Sequence, residues 1–454
     1  MTQFFTRTVR INRPVEEVFA WHENKAALPR LTPPWERVEV VRQSGGIQNG
    51  AQVVLRSKVG PLWTTWEMEH FGYEKGRQFC DRQVGGPFKS WVHYHRFEAV
   101  AAEACELTDE IHFTLPFGVL GRVGSAFTQG KLEQMFEYRH AVTKADLESP
   151  AGSAGRAVVS GASGLIGTAL VPFLRMRGWT VDRLVRHAAE QADEIEWDPK
   201  AGVVKWPVGY APDAVIHLAG ANVAGGRWTN SRKQAILASR IDGTRTLATA
   251  IRRLDPPPQV WLSGSATGFY GSRGDVQLSE SAQQGDGFLA EVCRAWEKET
   301  DPVAGLGVRV VKLRTGIVLS PAGGALAKML PAFQAGVGGP LGDGQQWMSW
   351  ISIEDWMRAC SRLLSAEDVV GPVNMVAPGA VPNGAFTREL GLALGRPAIL
   401  PMPGFVLRGL FGQMADEALL NSTRVAPGVL SNLDFDFLHP QLENALSYVL
   451  GKSV

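Results

Sequence analysis

The chain has 454 residues, 45% of them hydrophobic and 20% charged, with a formal net charge of +1. That length predicts two or three domains, and the charge balance points to neither nucleic acid nor an anionic membrane surface as a partner. No apolar run approaches the roughly 20 residues of a membrane helix. Cys80, Cys105, Cys293 and Cys360 include no C-x-x-C pair, and the opening Met1-Thr2-Gln3-Phe4-Phe5 carries no basic-then-apolar leader. A reducing, cytoplasmic location is expected.

Residues 1–145 are predicted to form a unit of their own. Phe4 to Ile11 alternates as a strand. A helix follows from Pro14 to Trp21, with Asn12 as its cap and Pro14 in its first turn. Strand-like runs come next at 38–41, 52–59, 63–71, 78–84, 90–98 and 104–115, and a last helix is predicted from Val119 to Val142. This order, and the entry Pro14-Val15-Glu16-Glu17-Val18-Phe19-Ala20-Trp21, resembles the START-like (polyketide cyclase and SRPBCC) superfamily. The resemblance implies an α+β helix-grip domain, its curved sheet closed on the long helix around a cavity for an apolar small molecule. Trp35, Trp63, Trp66, Phe88, Trp91 and Phe113 either line that cavity or fill a core. Trp91, His93, His95 and Phe97 share one strand face. Spacing sets no carboxylate or cysteine beside the two histidines, so a hydrogen-bonded or cavity-lining role is expected and no metal.

Residues 146–155 read as a linker, rich in small and turn residues. Beyond it, Ala157-Val158-Val159 runs into Ser160-Gly161-Ala162-Ser163-Gly164-Leu165-Ile166-Gly167, and apolar residues then recur at helical spacing. A buried strand, a turn of three glycines and a helix start together predict a phosphate cradle. Gly161 permits the tight turn, Gly164 lets backbone approach a pyrophosphate, and Gly167 lets helix pack on strand. Pro172 is expected to kink that helix.

The spacing G-x-x-G-x-x-G resembles the extended short-chain dehydrogenase/reductase superfamily. So do Asp213-Ala214-Val215-Ile216-His217-Leu218-Ala219-Gly220, which would bring Leu218, Ala219 and Gly220 beneath the adenosine side of a cofactor, and Ser239-Arg240-Ile241-Asp242-Gly243-Thr244, where Arg240 replaces the usual asparagine. Across residues 156–454 the closer resemblance is to epimerase-like members with a C-terminal domain of unknown function, here 374–454. It is carried by Phe288-Leu289-Ala290-Glu291-Val292-Cys293, by Leu313-Arg314-Thr315-Gly316 and by the segment Gly338 to Ile351. A Rossmann-like, doubly wound parallel sheet with a nicotinamide cofactor is implied. The second strand, Trp179 to Val185, contains Asp182 and ends at Arg186. An acid at that end holds the ribose hydroxyl of NAD, and an arginine accommodates the extra phosphate of NADP, so NADP is expected before NAD.

By position in the motif Val260 to Gly271, Ser265 is the catalytic hydroxyl. The superfamily's Tyr-x-x-x-Lys is missing from the next helix, which reads Phe288-Leu289-Ala290-Glu291-Val292-Cys293-Arg294-Ala295-Trp296-Glu297. Tyr270 is therefore the expected proton donor, with Glu291, Cys293 and Arg294 as further candidates. On the substrate side the resemblance implies Arg227, Arg314, Gln346 and Trp347, the arginines gripping a phosphate or carboxylate. Arg314 pairing within the fold is the alternative. The function expected is an NADP-dependent epimerase or reductase acting on a small molecule such as a nucleotide sugar. The rival is a non-catalytic sensor or ligand carrier.

Overall fold

Alternating apolar residues from Gln3 onward make the first strand, and the chain builds two compact units, Met1–Ala151 with Gly451–Ser453, and Gly152–Leu450. The structure is a computed structural model that describes residues 2–60, 62–116, 121–150, 152 and 154–452. Among these residues no helix is long and apolar enough to cross a membrane.

The first unit comprises β1 (Gln3–Ile11), α1 (Val15–Glu23), α2 (Ala27–Arg30), β2 (Val38–Ser44), β3 (Gln52–Val59), β4 (Leu62–Glu74), β5 (Gln78–Gly85), β6 (Ser90–Ala101), β7 (Ala104–Thr114) and α3 (Gly121–Glu148). Its antiparallel sheet has the order β1-β7-β6-β5-β4-β3-β2. Along β7 every second residue is buried, so Cys105, Leu107, Asp109, Ile111 and Phe113 share the inner face. Leu132 and Phe136 of α3 pack there with Phe5, Trp91, Ile111 and Phe113, the helix-grip arrangement expected. The buried pair Arg30–Asp146 joins α2 to α3 at 2.8 Å.

Two local expectations change. Pro14, not Asn12, stands at the cap of α1, and no side chain caps it. The end of α3 runs six residues past Val142 to Glu148, into the stretch read as linker; Val119, Ala151 and Ser153 lie outside the described residues. Of the aromatics, Phe88, Trp91, Trp66 and Phe113 pack as a core cluster, Trp35 meets Tyr138 edge-on, and Trp63 is 40% exposed. A surface groove of about 1180 Å³ in this unit is lined by residues such as Phe19, Ala20, Lys75, Arg77 and Arg96, and by none of those six aromatics.

The second unit begins with β8 (Arg156–Ser160), α4 (Leu165–Met176), β9 (Thr180–Val185), β10 (Glu194–Asp198), β11 (Val203–Val204), β12 (Ala214–His217), α5 (Asn230–Ile251), β13 (Val260–Ala266) and α6 (Phe288–Lys298). The eight-stranded sheet runs β11-β10-β9-β8-β12-β13, then the strands Arg309–Thr315 and Gly371–Met375. All neighbours are parallel except β11 on β10. Both faces of β8 are covered: Ala157 and Val159 pack with Leu170, Phe173 and Trp356, while Val158 packs with Leu247, Ile251 and Trp261. That is why β8 and β12 read as continuous apolar runs. Strand order reverses between β8 and β12, and ligands of such sheets bind outside the carboxyl ends at that point. The helix α4 runs on through Pro172.

Candidate functional site: a glycine turn at the sheet reversal

At the carboxyl end of β8, Gly161 has φ +72°, and a Cβ there would lie 2.8 Å from the Ala219 nitrogen. Side chains other than hydrogen are excluded by conformation and by space. A Cβ on Gly167 would lie 2.3 Å from the Gly161 carbonyl oxygen, so the helix can approach the turn this closely only with glycine. Gly164 is the N-cap of α4 and makes no side-chain cap bond, and it is exposed together with Ser163. Leu165 and Ile166 are half-buried in the first turn. Backbone N–H groups of that turn are left for an anion, which the helix dipole favours. The residues present thus fit the pyrophosphate of a dinucleotide.

Behind the turn, Ser160 Oγ and His217 Nδ1 are 2.6 Å apart, and His217 Nε2 lies 3.1 Å from Thr244 Oγ1. Ser160 Oγ also accepts from the Leu218 amide at 3.2 Å. These bonds tie the end of β12 to the end of β8, and they hold Leu218, Ala219 and Gly220 against the glycine turn. Burial pushes the fully enclosed His217 down to about 3, with Arg240 acting in the same direction. Arg240 donates to the carbonyls of Ala221 and Ile236, both at 3.1 Å, and lies 4.9 Å over the Trp296 ring. It props the loop after β12 from behind Gly220.

Asp182 and Arg186 separate clearly. The acid is buried in β9, where it accepts from Arg156 at 2.8 Å and from the Tyr210 hydroxyl at 2.6 Å. Arg186 follows the last residue of β9 and is exposed.

Ser265, next to last in β13, donates to Glu297 Oε1 at 2.6 Å. Glu297 in turn accepts two bonds from Arg314, Nε to Oε1 at 2.9 Å and Nη2 to Oε2 at 3.0 Å. Nη1 of Arg314 donates to the Tyr270 hydroxyl at 3.0 Å, and that hydroxyl donates to Asn374 Oδ1 at 2.6 Å. The guanidinium also lies 3.6 Å over the Phe269 ring. Arg314 is therefore enclosed and engaged within the fold, not free to grip a substrate anion as first expected. Tyr270 is fully buried, and burial raises its hydroxyl. With zero exposure its oxygen has no access to a reacting atom, which removes the basis for expecting it as proton donor. Glu291 and Arg294 are exposed on α6, and burial raises the Cys293 thiol to about 11.

On the substrate side, Arg227 is exposed and donates to the Gly409 carbonyl at 3.3 Å. Gln346 is buried and donates to the carbonyls of Leu341 and Leu419 at 3.0 and 3.1 Å. Trp347 donates to Asp275 at 2.8 Å, under the Arg424 guanidinium at 4.2 Å. The glycine-rich segment 336–344 is anchored, because the Gly342 and Met402 amides donate to the carbonyls of Met402 and Pro340, each at 2.9 Å. Sequence reasoning missed Glu297, the hub that joins Ser265 to Arg314. Its spacing of four from Cys293 on α6 was the one available signal.

In the first unit, His93 and His95 do have carboxylate neighbours, Asp81 and Asp109. Burial lowers His93, but hydrogen bonds to Asp109 and Asp81 outweigh it and hold the ring up at about 9.

The NAD dependent epimerase/dehydratase family matches residues 157–376, a domain of unknown function (DUF1731) matches 402–449, and the polyketide cyclase/dehydrase and lipid transport family matches 11–137. An epimerase family protein of Mycobacterium tuberculosis is 41% identical over 290 residues, 64% of this chain and 96% of the relative. A human counterpart, SDR39U1, is 33% identical over 301 residues, covering 65% of this chain and 100% of the relative. The crystal structure of a nucleoside-diphosphate sugar epimerase from Corynebacterium glutamicum is 31% identical with a TM-score of 0.80, covering 98% of this chain and 90% of that one. The structure of human SDR39U1 with NADPH gives 33% identity and a TM-score of 0.60 over 65% of this chain and 99% of that one.

Proposed function

The chain belongs to the NAD dependent epimerase/dehydratase family, and from that premise we propose that its second unit binds NADP or NADPH and catalyses hydride transfer at an oxygen-bearing carbon of a small molecule of the nucleotide-sugar class. One observation carries the choice of NADP over NAD. The acid that would hold a ribose hydroxyl, Asp182, is enclosed with Arg156 and Tyr210, while the exposed cation Arg186 stands at the end of β9. The NADPH in the human relative's structure supports the same reading.

Gly161, Ser163, Gly164, Leu165, Ile166 and Gly167 would hold the pyrophosphate, with Leu218, Ala219 and Gly220 beneath the adenosine side and Arg240 behind them. When bound, the cofactor supplies or accepts hydride. The chain's own part is the proton. Ser265 directs its hydrogen to Glu297, which leaves its lone pairs to accept from a substrate hydroxyl. As that hydroxyl gives its proton to Ser265, Ser265 passes its own to Glu297. This relay takes the task that Tyr-x-x-x-Lys has elsewhere in the superfamily, and Tyr270 and Arg314 keep the carboxylate in position. Arg227 and Trp347 would meet the anionic end of the substrate, while Gln346, its amide hydrogens given to the Leu341 and Leu419 carbonyls, would hold the loop that carries Trp347. The first unit would take an apolar ligand.

Thermal shift and calorimetry with NADPH, NADP, NADH and NAD test the cofactor. Preference for the phosphorylated pair should collapse in Arg186→Ala; equal affinity for all four, unchanged by the substitution, would refute the assignment. Glu297→Gln should retain cofactor binding and lose turnover by roughly 100-fold or more. A second reading, a cofactor-binding sensor without turnover, is favoured by the inward face of α6, where Leu289 and Cys293 offer neither phenol nor amine. Cofactor binding with no turnover across a panel of nucleotide sugars would select it.

A further inference from the structure

A second constellation of chemistry-bearing side chains lies in the first unit, on the inner face of its sheet. Register across β5, β6 and β7 sets Asp81 opposite His93 and Asp109 opposite His95. Asp109 Oδ1 lies 2.9 Å from His93 Nε2 and 2.6 Å from His95 Nδ1, and its other oxygen lies 2.6 Å from His140 Nε2 of α3. A carboxylate accepts only, so the ring nitrogens facing Asp109 carry the hydrogens. The opposite nitrogens, His93 Nδ1 and His95 Nε2, face a second carboxylate, Asp81, so each carries a second proton there or, once it has lost that proton, offers its lone pair to a metal ion.

Both nitrogens face the same oxygen of Asp81, at 3.4 and 3.3 Å. Two ring nitrogens and a carboxylate oxygen converging in a largely enclosed place need a cation, either protons on the rings or a metal ion among the three atoms. Metal–ligand bonds of about 2.0–2.2 Å in a tetrahedral shell put ligand atoms about 3.3–3.5 Å apart, and both measured separations fall in that span. All three ligand atoms lie within 4.8 Å of one another. Asp109 binds the outer nitrogen of each histidine, as carboxylates do behind metal-bound imidazoles, and His140 fixes Asp109 in turn. His70 stands opposite Asp81 in β4, and its buried Nδ1 has no hydrogen-bond partner among the described residues.

We propose that the first unit holds a divalent transition-metal ion on Asp81 Oδ2, His93 Nδ1 and His95 Nε2, with Asp109 and His140 as positioning residues and at least one coordination position open. Two imidazoles and a carboxylate suit zinc, cobalt or ferrous iron, and such a set with an open position can bind a polar oxygen of a ligand in the helix-grip interior.

The test uses the full chain freed of metal by chelation, titrated with Co²⁺ in visible absorption and with Zn²⁺ in calorimetry. One equivalent should bind, with the d–d bands of a low-coordinate cobalt site. Asp81→Ala and His95→Ala should abolish those bands, and Asp109→Asn should weaken affinity roughly 10- to 100-fold. Far-UV circular dichroism checks that each variant is folded. The wild-type titration decides by itself if none is. A wild type without cobalt bands, meaning that a proton on the histidines is the buried cation, overturns the proposal. So do bands that survive in folded Asp81→Ala.

Discussion

Gly167 has little tolerance, because an added Cβ would meet backbone at 2.3 and 2.6 Å and backbone cannot swing aside. Gly167→Ala is expected to cost roughly 1–3 kcal/mol by overpacking and to abolish cofactor binding, read by urea melts and calorimetry. Glu297 fails for an electrostatic reason. Its side chain and that of Arg314 are 8% and 5% exposed, so Glu297→Ala leaves a guanidinium enclosed without its counter-charge. The loss should be about 3–5 kcal/mol, and Glu297→Met with Arg314→Met should recover most of it. His217 sets an acid limit. Its folded value is about 3 against an ordinary 6.5, so below pH 6.5 the unfolded chain takes a proton that the folded chain refuses. Stability should fall by ~1.4 kcal/mol per pH unit from 6.5 towards 3 on this account. His217→Gln should remove about one proton from that slope in urea melts between pH 7 and 4.

Helix α6 shows how one element departs from its superfamily and still packs. Leu289, Cys293 and Glu297 fall at intervals of four, so they lie along one stripe. Cys293 and Leu289 face the bend at Gly268, and Glu297 faces Ser265. Placing a lysine on this stripe as Cys293→Lys puts an ammonium where the thiol is 3% exposed. A melting temperature lowered by many degrees is expected, with no turnover gained; an unchanged melting point would mean that the stripe has room for a cation. The helix itself was readable from its apolar spacing. Its chemistry was not, because Glu297 gains meaning only from Arg314, 17 residues on, on the strand Arg309–Thr315. The same holds for β6: alternation put His93 and His95 on one face, but only pairing with β5 and β7 brought Asp81 and Asp109 to them.

At the scale of the whole molecule the two units are proposed to take different ligands, and one experiment separates them. In scanning calorimetry of the full chain, NADPH at about 100 times its dissociation constant should stabilise the second unit by roughly 2.7 kcal/mol, while Zn²⁺ should raise the transition that carries the first. Asp81→Ala should lose the zinc effect and keep that of NADPH. The sequence by itself determined both fold classes, since strand alternation, continuous buried strands and glycine spacing are local consequences of chain geometry. It also marked Gly161 and Gly167, where backbone conformation or close approach admits no other residue, and Gly164 at the cap between them. Only the tertiary structure decided that Arg314 serves Glu297, that Tyr270 is sealed, that Asp182 is spent on Arg156 and Tyr210, and that two histidines share two carboxylates. Each of these depends on which charges are buried side by side, and register and packing between distant segments set that, not spacing along the chain.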